Sequence, residues 1–283
     1  MADSSIVLDY EQPLMARCIV VAPTFYSDPT DRRHALALET CRKASEQGIR
    51  LILVDDSPDW MIRHELEVAG NGYVTVVRQK SYGKKGAALR EGIQMASQHL
   101  KQQTNNYNCH LRTIIAFQEP EKVDMMLHWR SILRHMVENH SDVCAIRRND
   151  QEFRATYPIE QYYSEQFANM MLNTLGQAIC LPSLDWTSGP VALDASMAHH
   201  WLACNGELWD AQLLPVIKCH VGKANVTSFT VPYKHPIQMK QEEQSNPIFH
   251  EKRLYQIKFL AETVGKKLKT VANDLAKDSD REK

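Results

Sequence analysis

Between Cys18 and Phe117, short unbroken apolar runs alternate with segments of helical periodicity. Cys18–Ala22, Ile49–Val54, Tyr73–Val77 and Arg112–Phe117 have the length of strands. Between them lie three segments that read as helices. The first is Arg32–Gln47, where Ala35, Leu38, Cys41 and Ala44 recur three apart, followed by Trp60–Val68 and Gly86–His99. The apolar runs are continuous rather than alternating, so both faces of each strand must be covered. That requirement predicts an α/β fold with a mostly parallel, Rossmann-like sheet flanked by helices. Ligands bind outside the carboxyl ends of the strands in such a sheet. Pro23-Thr24, Asp55-Asp56-Ser57 and Gln118-Glu119-Pro120-Glu121 fall at three of these ends and define one edge as a candidate cleft.

The second half is less regular. Helices are expected at Val123–Glu138, Gln161–Gly176, Trp209–Cys219 and Phe249–Leu268, the last carrying a stripe of Leu254, Ile257, Ala261, Val264 and Leu268. Strands are expected at Val143–Ile146 and Ala224–Tyr233, and Leu184–Asp194 contains the turn-prone Thr187-Ser188-Gly189-Pro190. Trp60, Trp129 and Trp201 are assigned to helix packing. Residues 1–16 read as a leader. The expected organisation is a ligand-binding half (1–122), a second half of the same domain (123–270) and a charged, disordered tail (271–283).

Thirty-three Lys and Arg against 34 Asp and Glu leave a formal charge of -1, with no electrostatic case for nucleic acid or an anionic membrane as partner. No apolar run is long enough to span a bilayer, and no signal-peptide pattern is present. The seven cysteines (Cys18, Cys41, Cys109, Cys144, Cys180, Cys204 and Cys219) form no CxxC pair and read as buried free thiols of a reducing compartment. A cytoplasmic protein is the expectation. Walker, GxGxxG, GxSxG and HExxH motifs are all absent.

Each candidate residue has two readings. Asp55 and Asp56 could accept hydrogen bonds from a nucleobase or ribose, or belong to a helix cap. The basic, glycine-bearing stretch Arg78–Gly86 could offer cations and backbone N–H groups to a diphosphate, or be a solvated turn. Glu119 and Glu121, two apart around Pro120, could hold Mg²⁺ or Mn²⁺, or form the acidic start of a helix. Glu207 and Asp210 lie three apart, near enough for one helical face, and either could serve as a base. His235 could ligate a metal or be polar surface.

In combination these segments resemble a nucleotide-sugar glycosyltransferase of the GT-A fold, closest in layout to the family 2 enzymes and related mannosyl- and glucosyltransferases. The resemblance rests on Val21-Ala22-Pro23-Thr24, Leu53-Val54-Asp55-Asp56-Ser57-Pro58-Asp59 and Gly83-Lys84-Lys85-Gly86-Ala87-Ala88-Leu89-Arg90-Glu91-Gly92 in that order. It implies that Pro23 and Thr24 line the base, that Asp55 or Asp56 contacts it, and that Lys85 lies near base or diphosphate. It further implies that Glu119 and Glu121 replace the family's metal-binding aspartates, with Mg²⁺ or Mn²⁺ as cofactor, and that His235 occupies the place of a late metal-binding histidine. Asp185–Pro190, including Ser188, looks like the acceptor loop, and Asp210, ahead of Glu207, falls where inverting members hold their base. The implied donor is a UDP- or GDP-linked hexose. The acceptor is a soluble sugar, small metabolite or protein. The departures are the additional Lys84 and the glutamates at the metal turn. A non-catalytic domain that binds a nucleotide sugar or a partner protein is the rival reading, and a sugar-nucleotide pyrophosphorylase lacks its glycine- and arginine-rich loop after the first strand.

Overall fold

The computed structural model describes residues 15–81, 83–107 and 112–281. Most of the leader, Cys109 and the last two residues lie outside them. The first half alternates as its pattern requires: β1 (Cys18–Thr24), α1 (Arg32–Gln47), β2 (Arg50–Asp55), α2 (Trp60–Ala69), β3 (Val74–Arg78), α3 (Lys85–Tyr107) and β4 (Ile114–Phe117). A 3₁₀ turn (Val123–Leu127) then leads into α4 (Trp129–Glu138), β5 (Val143–Arg148), α5 (Asp150–Thr156) and α6 (Ile159–Gln177). The chain continues through β6 (Val191–Asp194), α7 (Ala198–Leu202), α8 (Asp210–Val221), β7 (Val226–Val231), α9 (Ile237–Glu243) and α10 (Pro247–Leu260). A π turn (Ala261–Gly265) joins α10 to α11 (Lys266–Arg281).

The strands form one seven-stranded sheet in the order β3-β2-β1-β4-β6-β5-β7. All neighbours run parallel except β6, which is antiparallel to both β4 and β5. The continuous apolar runs are explained by two separate cores. Ile19 and Val21 of β1 face one core with Ala88, Leu89 and Ile93 of α3, while Cys18, Val20 and Ala22 face the other with Ala37 and Cys41 of α1. Local signals set the helix ends: Asp31 accepts the N–H of Arg33 at the start of α1, and Gly48 closes it at φ +65°.

Several expectations need correction. The turn-prone stretch 184–194 ends in β6, whose four residues are too few to show a period. The helix expected over 123–138 is divided at His128, which caps the 3₁₀ turn and precedes α4. Trp129 and Trp201 are buried, but Trp60 at the start of α2 is 63% exposed. Among the described residues, five cysteines are buried free thiols, whereas Cys180 is free and exposed. Helix α11 runs through Arg281 where a disordered tail is expected from composition, because Leu268 and Val271 bury themselves in the core and anchor it. Among the described residues, no helix is long and apolar enough to cross a membrane.

Candidate functional site

A cleft of about 610 Å³ opens at the carboxyl edge of the sheet. Pro23, Thr24 and Phe25 at the end of β1, Asp56 after β2, Gly83 and Lys84 before α3 with Lys85 at its start, and Glu119–Lys122 after β4 form one side. Arg148, Tyr157, Tyr233 and His235 from the second half, with Lys252, Arg253 and Gln256 of α10, form the other.

The two aspartates after β2 separate in role. Asp55 is fully buried and accepts from the Thr24 hydroxyl (2.8 Å), the Ser57 hydroxyl (2.6 Å) and Arg63 Nη1 (3.1 Å). Its carboxylate locks the ends of β1 and β2 together and does not line the cleft, so Thr24 and Asp55 are spent on each other. Asp56 is exposed, lines the cleft and donates its backbone N–H to Thr24 O at 3.1 Å.

The basic loop is clamped from behind. Glu207 Oε2 accepts the N–H of Lys84 at 2.6 Å, and the N–H of Gly86 donates to Glu207 O at 3.1 Å. Arg90 donates to Glu207 Oε1 (2.5 Å), Gly206 O (2.6 Å) and Cys204 O (2.9 Å). Gly86 is required at this seam, since a Cβ there would stand 2.1 Å from Gly206 O. Glu207 thus precedes α8 instead of sharing a helical face with Asp210. Asp210 is the first residue of that helix, and its Oδ1 accepts from the N–H groups of Leu208 (2.8 Å) and Ala211 (3.0 Å) at its start. Neither carboxylate lines the cleft; Leu208 and Trp209 between them do.

Glu119 is the centre of charge on the near wall. Lys85 Nζ stands 2.7 Å from its Oε1 and Lys122 Nζ 3.7 Å from its Oε2. Burial disfavours the carboxylate, but the two ammonium groups outweigh that cost and hold its pKa down to about 2. Gly189, at φ +95°, packs directly on this carboxylate, where a Cβ would lie 2.6 Å from Glu119 Oε1. Lys122 also donates to Ser188 O at 2.7 Å and lies 5.5 Å from the Tyr233 ring centroid. Ser188 is itself buried and does not line the cleft. Glu121 is pushed up by burial, a shift that Arg33 and Lys85 only partly oppose.

His235 stacks on Tyr157 with ring centroids 4.1 Å apart, and its Nε2 is 3.8 Å from Glu243 Oε2. Burial, then the charges of Lys122, Arg148, Arg253 and Lys240, lower its pKa to about 3 and keep the ring neutral. Arg148, which the sequence reading did not single out, organises the far wall. It binds Asp185 through Nε and Nη2 (both 2.8 Å), Glu165 (2.7 Å) and Thr187 (2.7 Å), beneath a 3.6 Å stack on Phe153. Asp185, expected in an acceptor loop, is therefore consumed by an internal ion pair. The available signal was Arg147-Arg148 at the end of an apolar strand.

Glu119, Glu121 and His235 do not fit a divalent ion as they are placed. An ammonium already sits on Glu119, burial favours the protonated form of Glu121, and His235 faces four cations. Among the described residues, no group of three or more His, Cys, Asp or Glu side chains could hold a metal ion.

No family model matches the sequence. No curated protein matches it either. Solved structures do. Glucosyl-3-phosphoglycerate synthase of Mycobacterium tuberculosis is 14% identical, with a TM-score of 0.50 over 81% of this chain and 77% of that one. The same enzyme in complex with Mn²⁺, UDP-glucose and phosphoglyceric acid is 13% identical, with a TM-score of 0.50 over 81% and 78%. A nucleotide-diphospho-sugar transferase from Desulfovibrio desulfuricans gives 9% identity and a TM-score of 0.43 over 76% and 80%. At these identities the likeness to the M. tuberculosis enzyme speaks to the fold, and the fold is of the GT-A type: a mixed α/β chain with a mostly parallel seven-stranded sheet between helices.

Proposed function

We propose that this chain is a nucleotide-sugar-dependent glycosyltransferase, moving a hexosyl unit from a UDP- or GDP-linked donor to the hydroxyl of a soluble sugar, small metabolite or protein. The observation that carries the reading is the convergence of Pro23, Asp56 and the Gly83–Lys85 loop on one cleft at the carboxyl edge of the sheet. Pro23 and Asp56 offer an apolar surface and a free carboxylate to base and ribose. The loop offers two lysines to the diphosphate. The far wall, with Tyr157, Tyr233 and Gln256, would receive the acceptor. The M. tuberculosis enzyme, seen with UDP-glucose, supports the reading by its shared fold. Asp55, Glu207 and Asp210 enter as positioning residues, holding the strand ends, the basic loop and the start of α8.

The commitment of Glu207 and Asp210 to backbone N–H groups favours a second reading, a domain that binds the nucleotide sugar without turnover. Calorimetric titration with UDP, GDP and their glucose and mannose conjugates tests both, followed by assay of nucleotide release with mixed sugar and metabolite acceptors. Binding with release supports the transferase, and binding without release supports the second reading. Failure of every nucleotide to bind would sink both.

A further inference from the structure

The turn after β4 already carries positive charge where the resemblance would place an ion. We propose that the donor diphosphate is held by the ammonium groups of Lys85 and Lys122, supported on Glu119, in place of a divalent cation. The inference rests on the nucleotide-sugar reading of the cleft and adds how that site meets its most charged group.

Three features carry it. First, the Glu119 carboxylate is flanked by two ammoniums, at 2.7 Å and 3.7 Å, so these three side chains together carry one positive charge before any ligand enters. An ion at the coordination distance of about 2.1 Å would displace Lys85 from Oε1, or on Oε2 would stand beside Lys122, 3.7 Å from that oxygen. Second, the two lysines are differently mounted. Lys122 is fixed by Ser188 O and the Tyr233 ring, whereas Lys85 lies in the first turn of α3 with 29% of its side chain exposed. Lys85 can turn to a phosphate oxygen without leaving the field of Glu119. Third, the Glu243 carboxylate beside His235 (3.8 Å) is already shared with Arg253 at 3.6 Å, and Lys122 and Lys240 add further positive charge around the ring, which disfavours an added dication. Lys84 and Arg33, both lining the cleft, extend the positive rim. Glu119 is then an anchor for two cations rather than a metal ligand, which accounts for a single carboxylate being tolerated between them.

The two roles of Glu119 predict opposite behaviour for an isosteric change. UDP and GDP are titrated calorimetrically into the full chain, once with EDTA and once with Mn²⁺. For the native chain we expect dissociation constants within about threefold in the two buffers. Lys85→Ala weakens binding in EDTA by about tenfold or more, equivalent to ~1.4 kcal/mol. Glu119→Gln keeps the affinity in EDTA or tightens it, because the lysines are released from their counter-charge; its melting curve establishes that it is folded. Lys122→Met, read beside its own melting curve, repeats the Lys85 result at the buried position. Binding seen only with Mn²⁺ and lost in Glu119→Gln would overturn the proposal while leaving the nucleotide-sugar reading standing. Absence of binding by the native chain in both buffers would overturn the two together.

Discussion

Replacing Glu207 with alanine separates two roles that the sequence allows for this carboxylate. As a general base it would act on the acceptor; as built, it holds the loop that presents Lys84 and Lys85. Glu207→Ala removes the acceptor of the Lys84 N–H (2.6 Å) and the partner of Arg90 (2.5 Å). Hydrogen bonds to a charged group are worth roughly 1.5–3 kcal/mol each when sheltered. The Glu207 side chain is 38% exposed, so solvent screens both, and the combined loss of stability should be about 1–2 kcal/mol. The Gly86 N–H to Glu207 O bond is between backbones and survives. The loop therefore loosens without detaching, and nucleotide affinity should fall by about 5- to 30-fold if that free energy appears in binding. Loss of a general base would instead lower kcat by about 10²–10⁴ with nucleotide affinity unchanged. Urea denaturation, calorimetric titration with UDP and GDP, and turnover measured on the same preparation give all three quantities. Unchanged stability and affinity with a collapsed kcat would refute the clamp. Arg90→Met provides an independent check, since it should weaken nucleotide binding in the same direction although its side chain lies behind the loop.

The far wall and the loop seam give further expectations. Arg148→Met leaves Asp185 buried without its cation and Glu165 with Arg253 alone (3.0 Å), and should cost about 3–5 kcal/mol in urea denaturation; a loss below about 1 kcal/mol would show that the network is not sheltered. Gly86→Ala places a Cβ 2.7 Å from the Glu207 Cα as well as against Gly206 O, both backbone, and should cost about 1–3 kcal/mol together with nucleotide affinity. His235 gives a pH dependence with a definite sign. Its pKa lies at about 3 in the folded chain against 6.5 ordinarily, so on acidification the unfolded chain takes up the proton first. Its contribution is complete above about pH 6.5 and falls progressively towards pH 3, amounting to about 2 kcal/mol lost by pH 5. The difference in unfolding midpoint between pH 7.5 and about pH 5 should accordingly shrink in His235→Asn; an equal difference in both proteins would show that the imidazole is not sheltered.

The contrast between what the sequence revealed and what it hid follows from the range of each interaction. The apolar runs of β1 and β2 forecast a covered parallel sheet because each strand alone must satisfy two cores, and Ile52 and Val54 do face one while Leu51 and Leu53 face the other. Asp55 continues the face of Leu51 and Leu53, which is why it is buried and Asp56 is left for the cleft. The adjacent pair could not be divided by composition, but strand parity contains the answer. Strand β6 gives no such hint, since its four residues are fixed in register only by pairing with β4 and β5. The charge of the site was hidden for a similar reason. A formal charge of -1 is a sum over the chain, whereas Lys85, Lys122, Arg148 and Arg253 come from separate elements and meet only in the fold. Their counter-charges are equally dispersed, Glu119 under the lysines and Asp185 and Glu165 behind Arg148. An acidic pair after a strand therefore reads as a metal turn until its neighbours are known. Once Lys85 and Lys122 stand on Glu119, the same carboxylate favours the opposite chemistry, presenting cations to an anionic ligand.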